Sequence, residues 1–385
     1  MTNYKYLVMV DAGNNNNKFY EMSDNGNTLT VKYGRVGTPG VTKTYPSYKF
    51  DELYRQKTAK GYRDFTDTMV VDKTSSDYKR IENAAVEALV EHLRSIARKT
   101  VSANYVSDKV SREVINKVET LLAEMMKETS VYSFNRKLVT IFTLIPRKMK
   151  KVEDFIANSK DDFEKIIIRE RDLLQVLESQ QDDVNVTADK DILEANGLVI
   201  EEADADDIKI IKAQLGESAN KFYKAWRVTN KESREKFDGW CKSHKIYTTK
   251  LLFHGSRNEN WWSIINTGLK IKPTNAVATG SMFGDGIYFA PKAKKSIGYT
   301  SLTGSYWTSG TSSSGYLAIM ETAVGKSYNV YSFDSKFYGI NARTLDSFCK
   351  GAHSVHAHAG QMLRNDEIIV YDDAQCTIKY LIEIR

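Results

Sequence analysis

The spacing of apolar residues changes twice along this 385-residue chain. Residues 4–10 and 29–36 are rich in β-branched and aromatic side chains, and the Asn- and Gly-rich stretches between them are typical of turns. Residues 77–178 follow a helical period instead, and after the acidic stretch 180–207 short strands alternate with glycine-bearing turns. Because each kind of segment must bury its own apolar face, the sequence predicts a multidomain α+β protein.

The middle segment carries four apolar stripes at helical spacing, so we expect an all-α helical bundle there. Ser111 and Ser133 are predicted N-caps, and Pro146 should end the third helix. The basic run 147–151 is interpreted as a solvated helix face. The stripes comprise Ile81, Ala85, Ala88, Leu89 and Leu93; Val114, Val118, Leu121, Leu122 and Met125; Leu138, Ile141, Phe142 and Ile145; and Phe163, Ile166, Ile167, Leu174 and Leu177.

The bulk composition excludes several classes of protein. No run of 18 apolar residues suggests a membrane span, and the first residues lack the basic-then-apolar pattern of a secretory signal. Three widely spaced cysteines argue against a disulfide framework. We therefore expect a soluble, intracellular protein without membrane contact, nuclear if the source is eukaryotic. The formal net charge of +6 permits contact with a polyanion but does not require it.

Four short motifs in the last third of the chain place polar residues beside apolar strands. His254 ends the apolar run 251–253, Tyr288 follows glycines at the start of a strand, and Glu367 precedes the strand-like run 368–371. A carboxylate at the start of a buried strand faces either water or a ligand. Each residue taken singly is more often structural than catalytic, so the signal lies in the ordered set. The motifs span residues 253–257, 279–290, 295–299 and 365–372.

In that order the motifs resemble the NAD⁺ pocket of the poly(ADP-ribose) polymerase family, in which a His, a Tyr and a Glu from separate strands enter one cleft. The resemblance implies a mixed α/β split-sheet domain that cleaves the nicotinamide–ribose bond of NAD⁺ and transfers ADP-ribose. His254, Tyr288 and Glu367 are the matching catalytic set. A ribosyl cation-like transition state needs an oriented nicotinamide, held sugar hydroxyls and a nearby negative charge, and the motifs supply a candidate for each.

The resemblance also implies the NAD⁺ contacts. His254 would bind the adenosine ribose, and the Gly255 backbone would pair with the nicotinamide amide. Tyr288 and Tyr299 would hold the nicotinamide ring between their faces. Glu367 would accept from the ribose 2′-hydroxyl, stabilise the developing positive charge and activate a hydroxyl acceptor during chain extension. The other matching NAD⁺-binding positions are Ser256, Asn260, Lys295 and Ser296.

Several positions depart from the family pattern. Lys270 replaces an Arg that contacts adenine in the family, and Ser281 replaces a Tyr of the donor loop. Residues 306–315 are a Ser/Thr/Gly-rich insertion that predicts a surface loop. Residues 350–365 replace much of the long acceptor loop of the polymerases. The resemblance therefore supports transfer of ADP-ribose more directly than chain elongation.

Four residues near the last motif are of types that bind zinc, namely Cys349, His353, His356 and His358. The alternative is a solvent-facing loop. We favour the loop, because the residues are too closely spaced for an extended segment to turn all of them inward. No metal is expected.

Residues 17–20, 33–37 and 57–62 resemble the WGR domain, which packs on DNA ends in related polymerases. Tyr33 stands where the family motif begins with Trp, and it keeps a flat ring. Tyr33 and Arg35 are the predicted DNA-binding residues, since an aromatic face stacks on a base and a guanidinium matches a phosphate. The alternative is that both are ordinary strand residues of a protein–protein module.

The helical segment resembles the regulatory domain that covers the NAD⁺ cleft of DNA-dependent polymerases, which makes autoinhibition a hypothesis here. The sequence thus predicts a WGR-like antiparallel sheet at 1–75, a helical regulatory domain at 76–180 and a catalytic domain at 181–385. We predict a poly(ADP-ribose) polymerase that DNA ends or nicks activate and that modifies itself and other proteins. Two alternatives stay open: a mono-ADP-ribosyltransferase acting on nucleic-acid ends, and a DNA-end binding scaffold with a vestigial catalytic domain.

Overall fold

A computed structural model describes residues 3–66, 79–107, 110–180, 189–271 and 282–385. The chain divides into two compact units, one built from the described residues of 1–75 and 98–181 and the other from those of 76–97 and 182–385. The multidomain α+β fold is confirmed. The three-domain division stays a prediction, since both of its boundaries fall in or next to segments outside the described ranges.

The first unit begins with a five-stranded antiparallel sheet. Its strands are β1 (Asn3–Asp11), β2 (Asn16–Asp24), β3 (Thr28–Arg35), β4 (Val41–Pro46) and β5 (Arg63–Asp64), and their order is β4-β3-β2-β1-β5. The β1–β2 turn forms where the sequence predicts it, because Asp11 accepts from the Gly13 amide at 3.0 Å and Asn15 adopts a left-handed φ of 50°. Helix α1 (Phe50–Ala59) packs on the sheet through the buried side chain of Phe50.

Four helices confirm the stripes of the middle segment: α2 (Ala84–Asn104), α3 (Arg112–Met125), α4 (Val131–Leu144) and α5 (Phe163–Glu178). Ser111 caps α3 as predicted, accepting from the Val114 amide at 3.4 Å. The predicted cap at Ser133 is wrong, because Ser130 caps α4 and accepts from the Ser133 amide. Residues 84–97 of α2 count with the second unit and residues 98–104 with the first.

The basic run that follows α4 is not a solvated helix face. The Arg147 side chain is 1% exposed and forms an ion pair with Glu170 of α5, whose side chain is 3% exposed. The Arg147 carbonyl accepts from the Asn17 side chain at 2.8 Å, which ties the run to β2. Charged groups are buried only when they are paired, which explains the burial of Arg147. Through its contacts with Asn17 and Glu170 the segment connects the sheet with the helices inside the first unit.

The second unit holds two sheets. Its strands are β6 (Leu198–Glu202), β7 (Phe222–Asn230), β8 (Lys250–Ser256), β9 (Ile287–Phe289), β10 (Gly315–Thr322), β11 (Ser327–Val330), β12 (Ser354–Ala357), β13 (Glu367–Val370) and β14 (Cys376–Ile384). The five-stranded sheet is antiparallel and ordered β6-β7-β14-β10-β8. The four-stranded sheet is ordered β11-β12-β13-β9, with β11 and β12 parallel and the other neighbours antiparallel. This pair of sheets is the predicted split-sheet arrangement.

Besides the first part of α2, the described residues of the second unit include the helices α6 (Ile192–Ala195), α7 (Ala205–Leu215), α8 (Lys231–His244), α9 (Trp261–Thr267), α10 (Ala293–Ile297) and α11 (Leu345–Phe348). The main buried cluster joins Trp262 of α9 and Phe289 of β9 with Leu93 of α2. The first part of the predicted regulatory segment is therefore built into the core of this unit. None of the helices in the described ranges has an apolar stretch long enough to cross a membrane.

Candidate active site

The predicted catalytic residues come from three neighbouring strands. His254 lies on β8, Tyr288 on β9 and Glu367 at the start of β13. The edges of the two sheets meet where Phe253 and Ala290 exchange backbone hydrogen bonds of 2.8 and 3.0 Å. Strand β9 pairs in turn with β13. Motifs that lie far apart in the sequence therefore occupy adjacent strands, in the order β8, β9, β13.

His254 and Tyr288 are in direct contact. The His254 Nδ1 atom lies 3.2 Å from the Tyr288 carbonyl oxygen, a contact that favours the tautomer with its proton on Nδ1. The Tyr288 hydroxyl donates to the Gly284 carbonyl at 2.9 Å and accepts from the Phe283 amide at 3.1 Å. Burial raises the pKa of Tyr288, so the phenol stays protonated. The hydroxyl thus fixes the preceding turn and orients the ring.

Glu367 and Tyr288 share one face of the four-stranded sheet. Tyr288 pairs with Ile369 in the antiparallel register, and Glu367 lies two residues before Ile369 on the same strand. Side chains of directly opposed residues point to the same face, and so do side chains two residues apart on a strand. The carboxylate and the phenol are therefore diagonal neighbours across β9 and β13.

A buried lysine accompanies the carboxylate. Glu367 is 9% exposed, and it forms an ion pair with Lys295 of α10, whose side chain is 14% exposed. Burial lowers the pKa of Lys295 to about 8, because the ammonium loses contact with water. The adjacent carboxylate acts in the opposite direction and favours the ammonium. The ion pair therefore orients the Glu367 carboxylate, and the Lys295 ammonium that holds it loses its proton above neutral pH.

Gly255 and Ser296 mark the closest approach of β8 and α10. A Cβ atom placed on Gly255 would lie 1.9 Å from the Ser296 carbonyl oxygen, well inside contact distance. Ser296 is 4% exposed. Glycine is therefore required at this point of β8, and its absence of a side chain lets α10 bring Lys295 and Ser296 up to the strand.

The predicted contacts Ser256 and Asn260 bind each other. The Asn260 side-chain nitrogen donates to the Ser256 hydroxyl at 3.0 Å. Asn260 is 4% exposed, and its side-chain oxygen has no hydrogen-bond partner among the described residues. Buried polar atoms normally have partners. This corner of β8 thus contains a buried polar atom without a hydrogen-bond partner among the described residues, beside the Ser256 hydroxyl.

Tyr299 is stacked on a residue of the insertion that the sequence predicts as a surface loop. Its ring lies 5.8 Å from that of Trp307, with 17° between the planes. The Trp307 amide donates to the Gly298 carbonyl at 2.9 Å, although the Trp307 residue is 61% exposed. Sequence reasoning missed this support, since a tryptophan in a Ser/Thr/Gly-rich loop carries no periodic signal. The insertion therefore braces one face of the predicted nicotinamide-stacking residue.

Of the two positions that depart from the family pattern, Lys270 and Ser281, the structure describes only Lys270. The Lys270 ammonium lies 3.9 Å from the Asp373 carboxylate on the surface of the second unit. Thr279, Gly280 and Ser281, which begin the second motif and include the donor-loop substitution, lie outside the described residues.

The predicted DNA-binding residues lie at the end of β3 in the first unit. The Tyr33 ring stacks on the Tyr20 ring with 5.9 Å between centroids, and the Lys43 ammonium lies 5.8 Å from the centroid of the Tyr33 ring. Arg35 donates through Nε to the Met149 carbonyl at 2.9 Å and through Nη1 and Nη2 to Asn15 at 3.0 and 2.9 Å. Three of the five guanidinium N–H groups are thus used within the unit. The DNA-binding role of Tyr33 and Arg35 stays a prediction.

The four residues considered as zinc ligands do not lie together. The His353 ring contacts Trp240 and His244, with centroids 5.9 and 5.8 Å apart. His356 and His358 instead lie beside Asp366, the residue before Glu367. Residues 354–357 form strand β12, so this part of the stretch is not the loop that the sequence predicts.

Comparison with known proteins gives two family matches. Residues 4–69 match the WGR domain, and residues 207–385 match the poly(ADP-ribose) polymerase catalytic domain. Protein 101L of Invertebrate iridescent virus 6, which is uncharacterised, is 34% identical over 183 residues, covering 46% of this chain and 77% of the relative. The poly(ADP-ribose) polymerase-like protein 100L of that virus is 32% identical over 186 residues, covering 48% of this chain and 97% of the relative.

A plant protein is similar over a larger share of the chain. Poly(ADP-ribose) polymerase 2 of Zea mays is 26% identical over 385 aligned residues, which are 83% of this chain and 57% of the relative. The chain is thus similar to the viral proteins over about half of its length and to the plant protein over most of it.

Proposed function

The chain belongs to the poly(ADP-ribose) polymerase family and carries its NAD⁺-dependent ADP-ribosyltransferase domain, and we propose that it transfers ADP-ribose to side chains of its own and of other proteins when DNA ends or nicks engage its WGR domain. One observation carries the transfer reaction. The buried Glu367 carboxylate lies on the same sheet face as Tyr288, one strand away from the edge that holds His254.

In the proposed reaction the bond between nicotinamide nitrogen and ribose C1′ breaks, and its electron pair leaves with nicotinamide. The positive charge that develops on the ribose is stabilised by the Glu367 carboxylate, which accepts a hydrogen bond from the 2′-hydroxyl. An acceptor oxygen then bonds to C1′, and the proton that it loses passes to the Glu367 carboxylate as general base. Lys295 keeps the carboxylate in place until the sugar arrives, since the ion pair fixes one of its oxygens.

The binding roles follow the contacts around β8 and α10. We assign the adenosine ribose to His254, and the nicotinamide amide to the Gly255 backbone and the Ser296 side chain. Their support is the close approach of Gly255 to Ser296 and the orientation of the His254 ring by Tyr288. Tyr288 and Tyr299 hold the nicotinamide ring, and each is braced on the protein side. Ser256 and Asn260 complete the sugar contacts with their paired side chains.

Activation by DNA is supported by the first unit. The WGR match covers 4–69, and the chain has a formal net charge of +6, which suits a polyanionic partner. Tyr33 presents an aromatic ring beside the Lys43 ammonium, a combination that stacks on a base and neutralises a phosphate. Arg35 has two N–H groups beyond the three that it uses internally, which could reach a phosphate.

The decisive experiment measures labelled NAD⁺ turnover by the full chain with and without nicked DNA, for the parent and for Glu367→Gln. The exposed Glu235 of α8 provides a matched control through Glu235→Gln. We expect DNA to stimulate transfer to protein. We expect Glu367→Gln to lose nearly all chain extension and most transfer, while Glu235→Gln behaves as the parent. Unchanged products in Glu367→Gln would refute the role of the carboxylate.

The same assay separates the alternatives. The short connection 358–366 between β12 and β13 favours a second candidate, transfer of a single ADP-ribose, which would give one labelled product size on a denaturing gel. Label that appears in DNA and not in protein would identify a transferase that acts on nucleic-acid ends. Absence of nicotinamide release with and without DNA would identify a binding scaffold with a vestigial site.

A further inference from the structure

A cluster of potential metal ligands closes the connection between β12 and β13. His356 lies near the end of β12, His358 just follows it, and Asp366 immediately precedes Glu367 at the start of β13. The His356 Nε2 atom lies 2.8 Å and the His358 Nδ1 atom 3.8 Å from the same Asp366 oxygen, Oδ2. One ligand atom from each residue lies within 4.8 Å of the other two. The three groups thus converge from both ends of residues 358–366.

These separations suit a small divalent ion. Imidazole nitrogens and carboxylate oxygens bind zinc at about 2.0–2.2 Å, which places the ligand atoms of a tetrahedral ion about 3.3–3.6 Å apart. The observed 2.8 and 3.8 Å bracket that range. An ion between the three side chains would therefore require only small changes in these separations.

The surrounding hydrogen bonds orient the ligands as metal sites do. His358 Nε2 lies 2.8 Å from Asn329 Oδ1, and the Asn329 amide nitrogen faces the Ser327 carbonyl at 3.5 Å. The contact with Asn329 favours a proton on Nε2, which leaves the Nδ1 atom, on the side of Asp366, as the ligand atom of the neutral ring. The other Asp366 oxygen accepts from the Ala359 amide at 2.9 Å. Such second contacts fix the tautomer and the direction of metal ligands.

The packing of the rings fixes the space between the ligand atoms. The His358 Nδ1 atom and the Asp366 Oδ2 atom lie 3.8 Å apart, too far for a direct hydrogen bond. The two imidazoles are stacked with centroids 3.8 Å apart, and Tyr331 stacks on the far side of His358 at 4.3 Å. Because rings pack on both of its faces, the His358 side chain has few alternative rotamers. A cation between the three groups would contact all of them.

We propose that His356, His358 and Asp366 bind one divalent transition-metal ion of the zinc type. The ion would link the two ends of the connection between β12 and β13. Two imidazoles with one carboxylate form a ligand set of that class, with the remaining positions open to water because the site is only partly buried. Ala357 pairs with Glu367, so the metal site lies next to the proposed catalytic carboxylate. The metal site does not depend on the proposed function.

The test uses the full chain without a histidine tag, dialysed against Zn²⁺ for metal analysis and titrated with Co²⁺ for its visible absorption spectrum. We expect one equivalent of metal in the parent and affinity lowered more than about 100-fold in His358→Ala and in Asp366→Asn. His244→Ala is the matched control, since His244 is exposed and distant in sequence from the cluster. It should bind as the parent does.

Three results would overturn the proposal. The parent could bind no metal at micromolar free Zn²⁺, the two variants could bind as tightly as the parent, or the Co²⁺ spectrum could show intense thiolate charge transfer from Cys241, Cys349 or Cys376. A circular dichroism melt without metal identifies any variant that fails to fold, and the other variant then carries the test. Binding is read without NAD⁺, so failure of the proposed transferase activity would leave the result intact.

Discussion

The ion pair between Lys295 and Glu367 predicts how NAD⁺ turnover depends on pH. Burial lowers the pKa of Lys295 to about 8. A lysine is charged below its pKa, so the pair is intact on the acid side of this value and is lost as the pH rises through it. If the ammonium holds the carboxylate in its working position, turnover should fall above pH 8. Lys295→Arg should remove the fall, because a guanidinium stays charged beyond about pH 12.

The size of the effect follows from the titration. With a pKa of about 8, set by burial alone, the ammonium would be present in about nine-tenths of molecules at pH 7 and in about one-tenth at pH 9. The paired Glu367 carboxylate moves the titration to higher pH, so turnover that follows the charged fraction drops by at most about tenfold over this interval. The phenol of Tyr288 does not interfere, because burial raises its pKa and keeps it protonated throughout.

The assay is initial nicotinamide release at saturating NAD⁺ from pH 6.5 to about 9.5, with enzyme-free blanks for alkaline hydrolysis of NAD⁺. Lys294→Arg is the control, since Lys294 is the exposed neighbour on the same helix and should keep the parent profile. Equal alkaline declines in the parent and in Lys295→Arg would show that another group sets the profile, and the positioning role of the lysine would then be wrong.

Three further outcomes are expected. Glu170→Ala should lower the free energy of unfolding of the first unit by about 3–5 kcal/mol in a denaturant titration, because it leaves the buried Arg147 without its ion-pair partner. The double change Arg147→Met with Glu170→Leu should recover most of this loss, since it removes both buried charges. Trp307→Ala should raise the KM for NAD⁺ about twofold to twelvefold at constant kcat, because Tyr299 loses its stacking partner, whereas Trp307→Phe should change it less. Gly255→Ala should abolish nicotinamide release while circular dichroism shows a folded chain, since its Cβ would meet backbone at 1.9 Å.

Periodicity predicted the architecture well, because it reports a local property. The four helical stripes became α2 to α5, and the turns of the first sheet lie at the predicted asparagines and glycine. The basic run at Arg147 was misread for the opposite reason. Its burial depends on Glu170 in another helix, and no local pattern shows that a charged residue has such a partner.

At the candidate site, too, the sequence pattern identifies residues but does not show which of them contact each other. Ordered motifs identified Gly255, Lys295 and Glu367, yet their spacing does not show that two of them form an ion pair. That pairing requires α10 to lie against β8, and the 1.9 Å separation at Gly255 shows that the approach is possible only without a side chain there. The glycine therefore has a second consequence besides a free backbone for nicotinamide. By admitting α10 it brings the lysine to the carboxylate, and motif order alone cannot show this because it depends on packing between elements.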